Sequence, residues 1–401
     1  MNKGKDYASV EIRKIASDHF ADSMALSQFA FQYMQTGEEL ERSKEQYEVE
    51  PANRYAAFVN GQFAAQATVL ELETFIGDKR FAMGGVAGVA TWPEHRRQGL
   101  VAQLLIHSLK EMKLKGQSVS LLHPFSFSFY RKFGWETYTE HKAYTIKSEQ
   151  LPSRKSYPGR IQRQDGYSGL NDMYEAYASR YNGTLARTDL WWTYRINSRK
   201  PGQIAVYYDP NDRPLGYIIY EVKNMKLHIH ELIALNEQAR EALWSFIAQH
   251  DSMLDEVTLT APSDDMLPYL LPNPRIKQEI VPYFMARIVD AEAFVEQYAF
   301  HADSVEDLIY IQLSDEHASW NSGEFMLQIN TSGKARLSRI AEKEQADAAI
   351  KMDIGSFTSM LLGYVRPLQL SQLDKIKGDN AAIKRLHARI PERTTYLLDF
   401  F

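Results

Sequence analysis

The run His95-Arg96-Arg97-Gln98-Gly99 stands between an apolar stretch that ends at Thr91 and a helical pattern that begins at Leu100. Residues of these types in this order suit the capture of an anion. The first amides of a helix have no partners within it, and the helix dipole is positive at that end. Glycine at position 99 lets a phosphate approach the backbone, and Arg96 and Arg97 add charge. An ordinary strand-to-helix turn with solvated arginines is the competing reading. The arginine pair before the glycine, and the three glycines (Gly84, Gly85, Gly88) in the strand leading in, favour the anion site.

A second feature with chemical potential is the chain end, Pro391-Glu392-Arg393-Thr394-Thr395-Tyr396-Leu397-Leu398-Asp399-Phe400-Phe401. Terminal residues are ordinarily polar and frayed. Here five of the last six are apolar, and exposing them would be costly. Burial is therefore predicted, and it would position the α-carboxylate of Phe401. The histidines show no pair at metal-ligand spacing. His228 and His230 alternate on a predicted strand and share a sheet face, so no metal site is expected.

The elements around the turn are legible from periodicity. Leu100, Val101, Leu104, Leu105, Leu109 and Met112 keep helical spacing. Lys110, Lys113 and Lys115 crowd the end of that helix, and Gly116 stands at a C-cap position. A strand, Val119 to Leu122, follows. Upstream, Val10 to Ile15 reads as a strand and Asp18 to Tyr33 as a helix. Strands Arg54 to Val59 and Phe63 to Thr74 flank Asn60-Gly61, a strong hairpin signal. The turn Gly77-Asp78-Lys79 leads into the glycine-rich strand.

Length and composition bound the rest. The chain has 401 residues, is 44% hydrophobic and 24% charged, and carries a net charge of −5. That suits two or three soluble domains and gives no global basic field for nucleic acid. The absence of cysteine excludes disulfides, thiolate catalysis and cysteine-ligated zinc. The opening residues lack the apolar core of a signal peptide and no run reaches ~20 apolar residues, so a cytoplasmic protein without membrane contact is expected.

Three segments are predicted: 1–150, 151–289 and 290–401. The second follows Leu151-Pro152-Ser153 and repeats the order of the first, with strands Ile204 to Tyr208, Leu215 to Glu221 and Lys226 to Ala234 before a helix, Glu237 to His250. Its equivalent turn, Leu235-Asn236-Glu237-Gln238-Ala239-Arg240, has neither an arginine pair nor a glycine, and Glu237 would repel a phosphate. The third combines a helix, Ala291 to Tyr298, with strands Leu308 to Leu313, Glu324 to Ile329, Lys334 to Ile340 and Ala348 to Met352. Helices near Ser356 to Leu362 and Ala381 to His387 follow.

Arg96-x-x-Gly99 after such a strand resembles the pyrophosphate loop of the GNAT N-acetyltransferases. One departure is visible: the family pattern has Gly or Ala two places after the glycine, where this chain has Val101 and then Ala102. The resemblance implies that Arg96, Arg97, Gln98, Gly99, Leu100, Val101 and Ala102 hold the pyrophosphate of acetyl-CoA. It also implies that Val89, Ala90 and Thr91 meet the pantetheine and thioester, with Phe125 and Ser126 nearby. Phe129-Tyr130-Arg131-Lys132-Phe133-Gly134-Trp135 is similar to the family's segment after the fifth strand, which makes Tyr130 the acid toward the sulfur. Without the loop, Tyr130 reads as a helix residue packed on the sheet.

The third segment resembles a sterol-carrier-protein-like fold. The implied fold class is α/β (α+β): a catalytic GNAT domain, a second GNAT-like domain lacking a CoA loop, and the sterol-carrier-like domain. Three domains in this order with an aromatic last residue resemble the Eis family (enhanced intracellular survival). That resemblance implies acetyl transfer to amines of aminoglycosides or lysine side chains, Phe401 as the base through its carboxylate, and a hexamer. Glu71 and Glu73 are the internal alternatives for the base, since no acid lies between Phe81 and Thr91. A cationic substrate would want an acidic pocket, which the net charge permits. Phe29, Phe31 and Tyr33 form a stripe that lines either the pocket or the core. A non-catalytic phosphate-binding regulator and a lipid-binding interaction protein are the other classes.

Overall fold

A computed structural model describes residues 9–340 and 350–401. Its strands, in chain order, are β1 (Val10–Ile15), β2 (Ala52–Val59), β3 (Gln62–Ile76), β4 (Lys79–Thr91), β5 (Val119–Leu122), β6 (Glu136–Thr137) and β7 (Glu140–Lys147). Then come β8 (Arg160–Gln164), β9 (Gln203–Tyr208), β10 (Pro214–Lys223), β11 (Lys226–Ala234), β12 (Glu256–Ala261), β13 (Lys277–Pro282) and β14 (Met285–Ile288). The last four are β15 (Asp307–Ser314), β16 (Gly323–Ile329), β17 (Ala335–Arg339) and β18 (Ile350–Asp353). The predicted strand from Ala348 to Met352 begins outside the described residues.

The first sheet has the order β1-β2-β3-β4-β5-β14-β6 and the second β13-β7-β12-β11-β10-β9-β8. Asn60 and Gly61, at φ 51° and 80°, make the two-residue turn with positive φ that matches strand twist between β2 and β3. β4 and β5 run parallel, so their connection must cross over. The helix Leu100–Leu114 does this, burying Leu104, Leu105, Leu109 and Met112 against the sheet. Gly84 is needed for that packing, because a Cβ there would fall 2.2 Å from the Met112 sulfur.

The segment limits at 150 and 289 lie between strands, but the sheets interlock across them. β7 pairs with β12 and β13 of the second sheet. β14 pairs with β5 and β6 of the first and covers the edge that β5 would otherwise expose. Arg287 on β14 is fully buried and donates to the Phe133 carbonyl and to Asp315, tying the third segment to this join.

The third sheet, β17-β16-β15-β18, buries Ile309, Ile311, Leu327 and Ile329 in one cluster with Phe357 and Leu361 of the Ile354–Leu362 helix and Leu386 of the Asn380–Arg389 helix. From that last helix the chain returns to the other two domains. Asn182 and Thr395 form a bridge, with Asn182 N–H donating to Thr394 at 2.9 Å and Tyr396 N–H to Asn182 at 2.9 Å.

Candidate active site

The β3–β4 ladder skips a residue between Gln66 and Thr68, opposite the bulge at Gly88, whose φ is +60°. The β4–β5 ladder stops at Val86 and Leu122. Beyond that point the two strands separate, and β4 presents an edge unpaired on the β5 side. A cleft of about 790 Å³ opens there, lined by Val86, Ala87, Gly88 and Val89 together with Phe125, Tyr130 and Phe401. Ala90 and Thr91 are buried in the ladder with β3 and are not among the cleft's lining residues.

The loop that follows this strand runs through a short 3-10 turn, Pro93–His95, to Gly99. Gly99 has φ +78° and is the N-cap of the Leu100–Leu114 helix, with no side chain capping it. A Cβ built on Gly99 would meet nothing within 4 Å, so open space lies beside Gly99 itself. Glycine is held there by its backbone conformation rather than by crowding. Arg97 also has positive φ, 63°. Gln98 donates to the Glu94 carbonyl at 3.1 Å. Arg96, Arg97, Gln98, Leu100, Val101 and Ala102 are not among the residues that line the cleft, and Ala102 lines a separate pocket with Arg131 and Phe133.

In the second domain the corresponding helix, Glu237–Ala248, is capped by its own sequence. The Asn236 side chain accepts from Ala239 N–H at 2.8 Å, and Glu237 is paired with Arg240. No open amide cradle faces outward there.

Tyr130 lies in the short helix Phe127–Arg131, whose N-cap is Ser126, accepting from Phe129 N–H at 3.4 Å. Ser126 therefore has a local structural task. Tyr130 is 3% exposed, and burial raises its phenol well above the ordinary value, so it holds its proton at neutral pH. Phe125 is largely exposed and packs its ring 5.2 Å from that of Tyr130.

Phe401 is 6% exposed. Its ring rests on Gly85, where a Cβ would come within 2.9 Å of it, and packs 4.9 Å from Phe284 and 6.2 Å from Trp191. The three glycines of β4 thus have three different tasks. Gly84 admits Met112, Gly85 admits the last side chain of the sequence, and Gly88 makes the bulge.

Buried charges hold the tail in register. Asp399 accepts from Arg187 Nε at 3.0 Å, from Trp191 Nε1 at 2.9 Å and from the Tyr174 hydroxyl at 3.1 Å. Arg187 continues to Glu231 of β11 at 2.8 Å, and Lys200 bridges Glu231 and the Leu398 carbonyl. Burial alone would raise the Glu231 carboxyl, but Arg187 and Lys200 hold it well below the usual carboxylate range. The β11–β12 ladder stops at Ile229 and Leu259. Leu398, Asp399 and Phe400 lie beyond it with His230 and Thr260, so the tail occupies the gap between the parallel strands of the second domain.

Glu71 and Glu73 are brought to a different pocket, with Lys115 and Leu185. Glu71 is bound by Lys115 and Asn53, and the hydrogen bond from Lys115 lowers its pKa, which is the wrong direction for a base. Phe31 and Tyr33 line the cleft, while Phe29 lies outside it, 5.0 Å from Trp92.

Sequence reading passed over Glu50, Arg54, Arg195, Arg199 and His123, all of which line the cleft. Glu50 ends the helix Gly37–Val49. The signal for that helix was available in Thr36-Gly37-Glu38-Glu39, a capping box in the structure. His123 follows β5 and packs at a tilt 4.9 Å from Phe400, and burial lowers its pKa. Among the described residues no group of three or more His, Asp or Glu side chains could hold a metal, and no helix is long and apolar enough to cross a membrane.

Comparison with known proteins agrees with this architecture. Residues 11–138 and 183–288 each match an acetyltransferase (GNAT) domain family, and residues 291–398 match a sterol carrier protein domain. The chain is an N-acetyltransferase of the GNAT class, built from two GNAT domains and a sterol-carrier-like domain. It is 23% identical over 395 residues to an uncharacterized N-acetyltransferase of Streptomyces avermitilis, covering 92% of each chain. It is 25% identical over 348 residues to the N-acetyltransferase Eis of Mycobacterium tuberculosis, covering 80% of this chain and 82% of that one.

Among solved structures, a conserved protein of Enterococcus faecalis described as a probable N-acyltransferase superposes with a TM-score of 0.92 at 29% identity, over 98% of this chain and all of that one. Eis1 from Mycobacterium abscessus shares the fold, with a TM-score of 0.80 at 22% identity over 98% of this chain and all of that one. Over most of its length the chain is therefore similar to Eis, with the GNAT domains of an N-acetyltransferase. The class uses acetyl-CoA as cosubstrate and an amine as acceptor.

Proposed function

We propose that the cleft beside β4 transfers the acetyl group of acetyl-CoA directly to a primary amine of an aminoglycoside-like or lysine-type acceptor. The observation that carries this reading is the meeting of Tyr130 and Phe401 in one cleft at the unpaired edge of β4. The loop amides around Gly99, with Arg96 and Arg97, hold the pyrophosphate. Val89 in the cleft, with Ala90 and Thr91 behind it at the end of β4, meets the pantetheine and thioester, and Phe125 and Ser126 stand beside it. Open space over Gly99 and the separation of β4 from β5 fit that group.

The acceptor nitrogen must be neutral to attack, because ammonium has no lone pair. The α-carboxylate of Phe401 takes its proton, through a water. Its reference pKa of ~3.3–3.7 is low for this task, so burial and a partly neutral acceptor have to help. As the C–N bond forms and the C–S bond breaks, the Tyr130 hydroxyl gives its proton to the leaving sulfur. The phenol carries its proton at the start of each cycle, because even its ordinary value of ~10 lies well above neutral pH.

In this reading segment 1–150 supplies the cosubstrate site, segment 151–289 grips the tail, and segment 290–401 delivers it. The sterol-carrier-like domain has its sheet face filled by its own helices, which supports a delivery role over lipid carriage. By family resemblance we also place the protein in the cytoplasm as a homohexamer, which light scattering on the purified chain would check. The test of the reaction is thiol release from acetyl-CoA with spermidine, kanamycin and lysine as acceptors. Absence of amine-dependent thiol release with all of them would remove the proposal.

A further inference from the structure

The cleft that holds Tyr130 and Phe401 is rich in positive side chains. Arg54, Arg195 and Arg199 line it, against one lining side-chain carboxylate, Glu50. Glu50 is already committed. It takes a two-pronged hydrogen bond from Arg195, at 2.8 and 2.9 Å, and stands 3.8 Å from Arg54. Arg54 also lies over the Tyr47 ring, 3.8 Å from its centroid.

Arg199 is different. Among the described residues it has no ion pair and no hydrogen bond. Its guanidinium lies over the Phe400 ring, 4.5 Å from the centroid, one residue from the chain end assigned above as the base. Desolvation by the cleft walls, and then the charge of Arg195, lower its pKa, while Tyr283 and Glu50 act the other way. Arg199 keeps contact with the water of the cleft, so its guanidinium is open to an incoming anion, and its planar fork matches a carboxylate or phosphate. The cosubstrate's pyrophosphate does not fill this role in the proposed reading, because it is assigned to the loop at Arg96–Gly99, none of whose residues lines the cleft.

We infer that the acceptor is an amine that also carries a carboxylate or phosphate, received by Arg199 in the field of Arg195 and Arg54. This inference rests on the acetyl-transfer reading given above and, of its two acceptor classes, favours the lysine-type over the aminoglycoside-like one. A polycation would bring further ammonium groups against three guanidiniums. An acidic amine places its anion on Arg199 and its nitrogen toward Phe401 and Tyr130.

The test compares matched acceptors on the full chain with saturating acetyl-CoA: aminohexanoate against its amide, and glucosamine phosphate against glucosamine, with spermidine as the polycation. The expected result is a kcat/KM about tenfold or more higher for the anionic member of at least one pair, a preference of the size one well-placed ionic contact gives. The pair that shows it separates carboxylate from phosphate. Arg199→Gln should bring that ratio to about one, mainly through KM. Arg199→Lys should keep part of it, because charge remains while the fork is lost.

The ratio is taken within each variant, so a loss of folded protein cancels. A preference for spermidine or for the neutral members, or a ratio unmoved in Arg199→Gln, overturns the inference while leaving acetyl transfer standing. Thiol release with none of these amines removes both.

Discussion

Tyr130 and Phe401 carry the chemical proposal, and each permits a separate test. Tyr130→Phe keeps the ring and its packing against Phe125 and Phe129 and removes only the hydroxyl. Loss of a general acid typically costs 10²–10⁴ in rate, so kcat should fall at least ~100-fold while calorimetric binding of CoA persists. Because burial raises the phenol, Tyr130 stays protonated beyond pH ~10, its ordinary value. The rate of the parent enzyme should therefore climb with pH as acceptor amines deprotonate, with no falling limb from this residue below that point. The base has a rival in His123, which lines the same cleft and stays neutral near pH 7 because burial lowers its pKa. Amidating the terminus removes the carboxylate charge and keeps the Phe401 ring. If Phe401 is the base, amidation abolishes turnover and His123→Gln changes it by less than about tenfold. The reverse pattern in a stopped-flow thiol assay would transfer the role to His123.

At the scale of the element, β4 decides where the chemistry can happen, and the sequence showed most of it. Alternation and turn residues disclosed β2, β3 and β4, and the helix after Gly99 was plain from its leucine spacing. The three glycines of β4 were visible as a group, but their separate reasons were not. Gly84 and Gly85 are required by Met112 and Phe401, partners far along the chain, so no local pattern could reveal them. The same holds for β7 and β14. A short strand announces its own conformation but not which sheet it will join, and these two were not identified. Gly85→Val is the variant that tests the strand as a platform for the tail. The added side chain would enter the space of the Phe401 ring and Leu72, and overpacking of this kind costs about 1–3 kcal/mol. Turnover should drop toward that of a chain lacking Phe401, whereas the acetyl-CoA dissociation constant, set at the Gly99 loop, should change by less than about threefold. A matching loss of CoA binding in an equilibrium titration would mean that the strand, and not the tail, had been disturbed.

Over the whole molecule, the second domain supplies the charges that grip the tail, and in the proposed reading it serves catalysis only in that way. No sequence signal marked Glu231, Arg187, Lys200 and Asp399 as a group, because the partners lie far apart; Arg187 and Asp399 are separated by 212 residues. Folded, Arg187, Asp399 and Glu231 are buried and joined into one network, with Lys200 only slightly exposed. Buried ion pairs add little when compared with apolar replacements, but removing one partner strands the others and costs about 3–5 kcal/mol. Glu231→Gln should therefore destabilise the chain by that order in urea titrations. It should also loosen Leu398–Phe401, so that the residual folded enzyme binds acetyl-CoA but turns over slowly. The pH dependence has a definite sign. The folded carboxyl of Glu231 lies far below its unfolded value, which is near 4.3. Its stabilisation is complete above that value and drains away as pH falls below it, because the unfolded state then binds the proton first. Urea midpoints of the parent chain should decline below pH ~4.3, and Glu231→Gln should flatten that decline. An identical decline in the variant would place the acid-labile step elsewhere and separate the second domain from control of the active-site tail.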